Sequence, residues 1–348
     1  MPVTRSSSTS PRVTVLGAGV AGLTAALACA RRGATVDIVE RREGAGLGCS
    51  FFAGGMLAPW CEAESADPVI RDLGIESLAF WTETVPVATR AGSLVLAPAR
   101  DTPDLRRFAR QTTHHSLLDA AALEALEPDL GGRFTTGLFF GAEAHLEPRH
   151  ALATLHRMLA DMDNVTIRFG VDRIEDDDAD WTIDARGFAA RDRLKNLRGV
   201  KGEMVVLRSK EIALSRPVRL VHPRHPVYIV PRPGHLFMVG ATMIENEEPG
   251  RVTARGLMEL LGAAYTLHPA FGESEIVETG CDLRPAFPDN IPRVVRDSED
   301  PRRLHINGLF RHGFLLSPAL ARQAADVVFD EVLETDDGHS RERRALAG

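Results

Sequence analysis

Glycines near the N-terminus have the spacing of a phosphate-binding turn. Gly17, Gly19 and Gly22 form a GxGxxG pattern. In this pattern the first glycine permits a tight turn, the second lets backbone approach a pyrophosphate, and the third lets a helix pack closely on a strand. Free N–H groups at the start of that helix attract the phosphates. An acid, Glu40, follows the last glycine by 18 residues and can accept hydrogen bonds from ribose hydroxyls. These residues predict a dinucleotide site.

The elements around these glycines support that interpretation. Residues 12–16 are a short β-branched run, residues 23–32 are rich in Ala and Leu, and residues 35–39 form a second β-branched run. The order predicts a strand, a helix and a parallel strand, which is the unit in which GxGxxG binds dinucleotides. A glycine-rich turn in another α/β fold is the alternative.

A second glycine-rich loop, residues 44–59, follows the second strand directly. Nicotinamide enzymes generally continue at this point with another strand and helix. A glycine-rich crossing instead favours a long cofactor lying across the sheet, with backbone pressed against a flat ring system. The loop therefore argues against a nicotinamide-dependent dehydrogenase.

The rest of the chain alternates α/β and β-rich segments. Apolar periodicity predicts helices over 118–130, 151–162, 253–268 and 319–332, strands over 165–171, 181–187, 203–207 and 304–307, and a hairpin over 227–243 that turns at Pro233-Gly234. Dinucleotide-type elements occur early, in the middle and at the end. We therefore expect two interleaved domains.

Composition excludes several classes of protein. The 348 residues are 44% hydrophobic and 26% charged, as in ordinary globular chains. A net charge of −7 argues against nucleic-acid binding, and no apolar run reaches the ~18 residues of a membrane span. Four scattered cysteines favour a reducing, cytoplasmic compartment. Residues 1–11 and 334–348 are predicted to be flexible tails.

Two histidine pairs invite a metal interpretation. They are His114-His115 and His222-x-x-His225, and neither has a Cys or carboxylate nearby at ligand spacing. No metal site is expected.

Several motifs in one order resemble the FAD-dependent D-amino-acid oxidase family over residues 13–332. The motifs are GxGxxG at 17–22, AGGMLAP at 53–59, YIVPR at 228–232, VGATM at 239–243, LRP at 283–285 and FRxG at 310–313. The resemblance implies an α/β protein with a Rossmann-like FAD-binding domain (12–85, 149–210 and 285–333). A smaller, antiparallel β-rich substrate domain (86–148 and 211–284) interleaves with it, in a D-amino-acid oxidase-like fold.

The resemblance also implies a set of cofactor-binding residues. They are Gly17, Gly19, Val20, Ala21, Gly22, Glu40, Arg41, Cys49, Ser50, Gly54, Gly55, Met56, Val171, Leu309, Phe310, Arg311, His312, Gly313, Phe314 and Leu315. The first loop and Glu40 would hold the ADP part, and backbone around Val171 would meet the adenine. Cys49 and its neighbours up to residue 52 depart from the small or hydroxyl residues usual there.

Non-covalent binding of FAD is expected. In the related sarcosine oxidases the cysteine that links the flavin is one position later than Cys281, where this chain has Asp282. We therefore interpret Cys281 as a partly buried thiol that is not attached to the cofactor.

Substrate-binding residues follow from the same resemblance. Positions matching Arg284 and Arg311 contact the substrate, while Tyr228, Met243 and Met56 line its pocket. The side chains suit these roles, because a guanidinium can grip a carboxylate with two charge-assisted hydrogen bonds. The alternatives are a surface arginine, an ordinary strand tyrosine and methionines that fill a core.

The implied reaction is oxidation of glycine or a similar small amino acid by hydride transfer to FAD, with oxygen as acceptor and hydrogen peroxide as product. No side chain is expected to act as acid or base. The most similar members act in thiamine biosynthesis, so handover of the imine to thiazole synthase and a homo-oligomer are expected. Alternatives are oxidation of sarcosine, D-amino acids or a cyclic imino acid, or modification of a partner protein by the flavoprotein.

Overall fold

The N-terminal strand–helix–strand unit is present as predicted. The structure, a computed structural model, describes residues 10–172, 178–221, 227–248 and 250–337. Strand β1 (Arg12–Leu16), helix α1 (Val20–Arg31) and strand β2 (Thr35–Glu40) follow one another, and the two strands pair in parallel. The apolar residues of this unit, such as Val13, Val15, Val36 and Ile38, are buried beneath helix α1 and its neighbours.

The remaining elements complete two large sheets and their covering helices. The further helices are α2 (Pro59–Glu62), α3 (Pro68–Ala79), α4 (Thr102–Gln111), α5 (Ala120–Leu126), α6 (Pro148–Ala160), α7 (Ala254–Leu267) and α8 (Gly313–Asp337). The further strands are β3 (Met56–Leu57), β4 (Ser93–Leu96), β5 (Ser116–Asp119), β6 (Thr136–Phe140), β7 (Ala144–His145), β8 (Val165–Phe169), β9 (Trp181–Asp184), β10 (Arg198–Arg208), β11 (Val218–Leu220), β12 (Val227–Arg232), β13 (Leu236–Gly240), β14 (Glu275–Ala286), β15 (Arg293–Arg296) and β16 (Arg303–Asn307).

The first sheet has six strands in the order β15-β16-β9-β1-β2-β8. All neighbours are parallel except β15, which pairs antiparallel with β16 at one edge. Helices α1, α6 and α8 contact this sheet, and α3 packs on α8. This mostly parallel sheet with its helices is the Rossmann-like part of the fold that the resemblance implied.

The second sheet has eight strands in the order β14-β10-β13-β12-β11-β4-β6-β5. It is antiparallel except for the pair β11–β4, and helix α7 packs against β10, β12 and β13. Strands β10 and β14 pair along their whole length. That pairing places the substrate candidates of β14 beside β10.

Some elements differ from the sequence-based expectation. Residues 118–130, predicted as a single helix, contain the end of β5 and the shorter helix α5, because β5 pairs with β6. Helix α8 begins at Gly313 and contains Pro318 inside it, so the predicted start at residue 319 was wrong. Its last residues, 334–337, are helical, and the tail predicted over 334–348 otherwise stays a prediction.

Strand β10 lies within the range 149–210 predicted for the cofactor domain, yet it belongs to the eight-stranded sheet. The division of the chain into two domains otherwise stays a prediction. Among the described residues, no helix combines the length and the apolar character needed to cross a bilayer.

Candidate active site

A cleft with a volume of about 650 Å³ lies between the two sheets. At one end it meets the carboxyl ends of β1 and β2, where Gly17 and Glu40 line it. At the other end it reaches the face of the eight-stranded sheet, lined there by Gly202, Tyr228 and Arg284. The elongated shape suits a dinucleotide whose two ends meet different sheets.

The first glycine turn is closely packed. Gly17 has φ +98°, and a Cβ there would lie 2.7 Å from the Ala185 carbonyl oxygen. A Cβ on Gly22 would lie 1.8 Å from the Gly17 carbonyl oxygen, so only glycine lets α1 approach the turn. Gly19 immediately precedes α1 and lines the cleft, which leaves the N-terminus of that helix directed at a bound anion.

Glu40 serves this turn as well as lining the cleft. One carboxylate oxygen accepts the Ala18 N–H at 2.8 Å, and the other accepts the Arg42 N–H at 2.9 Å. Each oxygen can accept more than one hydrogen bond, so room for ribose hydroxyls remains. Glu40 thus joins the two loops that flank the ribose position.

Residues 49 and 50 close this end of the cleft. The Ser50 hydroxyl accepts the Val20 N–H at 3.2 Å, at the start of α1. Burial, and to a smaller extent the nearby Asp282 carboxylate, raises the pKa of Cys49 to about 12, so its thiol stays protonated. Cys281 does not line the cleft, and its thiol donates to the Gly250 carbonyl oxygen at 3.4 Å.

Two of the expected cofactor residues do not line the cleft. Gly22 is covered by the carbonyl group of Gly17 in the turn. Val171 lies beside the end of β2, where its N–H donates to the Glu40 carbonyl oxygen at 3.1 Å. The neighbouring Asp172 lines the cleft instead. The other expected cofactor positions all line it, including Val20, Ala21, Arg41 and the segment 309–315.

The second glycine loop presses against the substrate end. Gly55 has φ +82°, and a Cβ there would lie 2.1 Å from the Leu146 carbonyl oxygen. A Cβ on Gly54 would lie 2.4 Å from Cε2 of Tyr228. Any larger residue would displace the tyrosine ring. Met56 follows, partly buried and lining the cleft.

The segment 309–315 brings the N-terminus of α8 to the cleft. Phe310 takes the left-handed conformation (φ +48°), and its N–H donates to the Pro285 carbonyl oxygen at 2.8 Å. The His312 N–H donates to the Leu309 carbonyl oxygen at 2.7 Å, and α8 begins at Gly313. This helix end places a partial positive charge at the cleft, suited to an electron-accepting ring.

Arg284 is the cation of the substrate end that lacks an acidic partner. Its guanidinium lies flat across Gly202, where a Cβ would be 2.3 Å from Cζ. Nη1 donates to the Thr242 carbonyl oxygen at 2.9 Å. Among the residues that the structure describes, no carboxylate lies within ion-pairing distance of it. The Tyr228 hydroxyl is nearby, and burial raises its pKa, which keeps it a donor.

Arg311, the second predicted substrate contact, is already paired. Its Nη2 donates to Glu62, a carboxylate of α2 that the sequence analysis did not single out. Glu62 also lies 3.4 Å from Arg219 and 3.8 Å from Nδ1 of His312. Burial raises the pKa of Glu62, but the surrounding Arg311, Arg219 and His312 outweigh it and lower the pKa to about 2. Glu62 is therefore ionised.

His312 is buried beside this ion pair. Burial lowers its pKa to about 4, and the Glu62 carboxylate opposes that shift only in part. The imidazole is therefore neutral at pH 7. Met243, expected to close the pocket, is 52% exposed and lies at the mouth of the cleft with its Sδ 4.0 Å from Nη1 of Arg311.

No metal-binding group of three or more His, Cys, Asp and Glu side chains occurs among the described residues. In the first predicted pair, His114 lies against Trp60 and His115 against Phe140. The second pair, His222 and His225, lies outside the described residues.

The fold and the cleft define an oxidoreductase of the dinucleotide-binding class. The GxGxxG turn, Glu40 at the end of β2 and the second glycine loop all fit FAD. The chain belongs to the family of FAD-dependent oxidoreductases, whose model (DAO, FAD dependent oxidoreductase) matches residues 12–327. FAD is accordingly its cofactor.

Individual proteins show the same relationship. The chain is 53% identical to a Rhizobium etli protein that bears the name thiamine biosynthesis oxidoreductase ThiO, over 90% of this chain and 95% of that protein. It is 25% identical to a glycine oxidase of Bacillus licheniformis, over 92% and 94% of the two chains. The structure is similar to that of iminodiacetate oxidase from Chelativorans sp. BNC1, with a TM-score of 0.79, 25% identity and coverage of 92% and 95%.

Three residues at the substrate end, Glu62, Arg219 and Gly202, were not predicted from the sequence. Glu62 comes three residues after the AGGMLAP motif, so its position was a usable signal. Arg219 and Gly202 lie in ordinary strands, and only the pairing of those strands brings them to the cleft.

Proposed function

We propose that this protein oxidises glycine, or a similarly small amino acid, in thiamine biosynthesis. The proposal is supported by the relatives described above, whose names refer to glycine oxidation and to thiamine biosynthesis. The observation on which it rests most is the guanidinium of Arg284, which is partly buried at the substrate end of the cleft and has no acidic partner among the described residues. A partly buried cation without an acidic partner calls for an anionic ligand.

The substrate would be held by its carboxylate on Arg284. The guanidinium offers two parallel N–H donors to a carboxylate, and the Tyr228 hydroxyl adds a third. The walls formed by the ring of Tyr228 and by Met56 limit the space around the α-carbon, which favours a substrate without a large side chain.

FAD, when bound, supplies the hydride acceptor for the α-carbon of the substrate. The remaining task of the protein is orientation, since a neutral amine loses its hydride without a protein base. Loss of the hydride leaves an iminium ion, which releases a proton to give the imine, and hydrolysis of the imine gives glyoxylate and ammonia. Oxygen takes up the two electrons as hydrogen peroxide. We keep as a prediction that no side chain acts as acid or base.

Handover of the imine to a thiazole synthase, a homo-oligomeric assembly and a cytoplasmic location are part of the proposal. The similarity to a protein named for thiamine biosynthesis supports the handover of the imine. The four cysteines, all in the described part of the chain and none joined in a disulfide, agree with a reducing compartment.

Anaerobic reduction tests the proposal directly. The purified FAD-loaded protein is mixed with glycine, and the flavin absorbance is followed; peroxide and glyoxylate are then measured in air. We expect bleaching and one peroxide per glyoxylate. Sarcosine, D-alanine and D-proline run in parallel test the alternative substrates. A protein bleached by one of these but not by glycine would overturn the assignment of glycine.

A further inference from the structure

We propose that Glu62 is a specificity-determining residue that restricts the pocket to substrates with one carboxylate. It does so by occupying Arg311, so that Arg284 is left, among the described arginines at the substrate end, as the one without an acidic partner. The inference rests on the proposed function, because it concerns the substrate of the same cleft.

Arg284 and Arg311, the two arginines predicted to contact the substrate, have different surroundings. Arg284 lies across Gly202 with a backbone carbonyl as its partner. The Nη2 of Arg311 donates to the Glu62 carboxylate and lies 3.5 Å from the Ser65 hydroxyl. Both arginines and Glu62 line one cleft. One of the two predicted substrate arginines is thus neutralised by the protein itself.

The charges around Glu62 keep this pair in place. Arg219 lies 3.4 Å from Glu62 and is also paired with Glu64 at 3.6 Å. The field of these cations holds the pKa of Glu62 at about 2, so the carboxylate persists at any pH in which the enzyme is assayed. A second substrate carboxylate near Arg311 would meet the negative charge of Glu62.

Arg311 is positioned where such a second carboxylate would arrive. Its Nη1 lies 4.0 Å from the sulfur of Met243, which is half exposed at the mouth of the cleft. A substrate anchored on Arg284 whose second carboxylate extended to that mouth would meet Arg311 there. Removing the charge of Glu62 would therefore turn Arg311 into a receptor for the extension.

The test compares ligands that differ by one carboxylate. Acetate and malonate have no amine and are not oxidised, so their dissociation constants are measured on the FAD-loaded enzyme by calorimetry and by the change in flavin absorbance. In Glu62→Gln the preference for malonate over acetate should increase at least tenfold, about 1.4 kcal/mol. The ratio of kcat/KM for iminodiacetate to that for glycine should rise in the same direction.

A matched control is Glu64→Gln, which removes the other carboxylate beside Arg219 but none beside Arg311. Its preference should stay within twofold of the parent value. Adding Arg311→Gln to Glu62→Gln should abolish the gain. Arg311→Gln alone leaves Glu62 without that partner and should weaken malonate relative to acetate at least tenfold, which keeps the inference testable if Glu62→Gln does not fold.

An unchanged malonate preference in FAD-containing Glu62→Gln, or a gain that survives in the double variant, would overturn the inference. Oxidation of glycine by the parent enzyme is a separate result. If glycine is oxidised but the preference does not shift, the role of Glu62 fails alone; if glycine does not bleach the flavin, the proposed function fails.

Discussion

Arg284→Ala should strongly lower kcat/KM for glycine without releasing FAD. The guanidinium is the cation of the pocket without an acidic partner in the described chain, and it contacts the Thr242 carbonyl oxygen and Gly202. Removing one partner of a buried charge pair costs about 3–5 kcal/mol. Each 1.36 kcal/mol of transition-state stabilisation is a tenfold change in rate. We therefore expect kcat/KM for glycine to fall by roughly two to four orders of magnitude.

The assay is peroxide formation across a range of glycine concentrations, with FAD content measured on the same samples. Arg284→Lys should recover only part of the loss, because an ammonium keeps the charge but lacks the planar pair of donors. Arg208→Ala is the matched control, since this arginine lies on β10 of the same sheet in an exposed ion pair with Glu275. It should change kcat/KM by less than about threefold.

A small amine without a carboxylate supplies the second comparison, and its slow oxidation should barely respond to Arg284→Ala. Survival of glycine oxidation within a few-fold in Arg284→Ala would refute the reasoning. The carboxylate would then be held elsewhere, and Arg311 would have to exchange Glu62 for the substrate.

Three further predictions concern the cofactor and stability. Glu40→Ala should raise the Kd for FAD about ten- to a hundredfold in a fluorescence titration, because hydrogen bonds to a charged group contribute ~1.5–3 kcal/mol. Glu43 is an exposed neighbour, and Glu43→Ala should leave the Kd for FAD unchanged. Acid precipitation should leave the yellow colour in the supernatant, and a coloured pellet would contradict non-covalent binding. Burial, despite hydrogen bonds from Ser93 and the Cys61 N–H, raises the pKa of Glu143 from 4.5 to about 8. Between these two pH values the folded protein holds a proton at Glu143 that the unfolded chain has released. The free energy of unfolding therefore has its full contribution from Glu143 below pH 4.5 and loses it as the pH rises toward 8. The total loss is at most about 5 kcal/mol. Denaturant melts of Glu143→Gln should lack this decline between pH 5 and 8, and equal slopes in both proteins would count against it.

Local patterns in the sequence determined the cofactor end of the molecule. The GxGxxG turn, Glu40 and the flanking strands are defined by residues within one short stretch, and glycine is the residue that most readily takes the tight turn and left-handed φ found at Gly17. The hairpin of β12 and β13 was predictable for the same reason, since strand alternation and a Pro-Gly turn are local signals. Backbone geometry and helix or strand periodicity act over a few residues, so one sequence suffices to find them.

Tertiary structure alone decided how charges are shared at the substrate end. Arg311 and Glu62 are 249 residues apart, and nothing in either segment shows that one neutralises the other. Gly202 lies beneath Arg284 because β10 and β14 pair along their length, which places residues of two distant strands side by side. Strand pairing and ion pairing are contacts in space, whose energy depends on distance and burial and not on separation along the chain. The sequence therefore predicted two substrate arginines, and the fold determined that one of them is already bound.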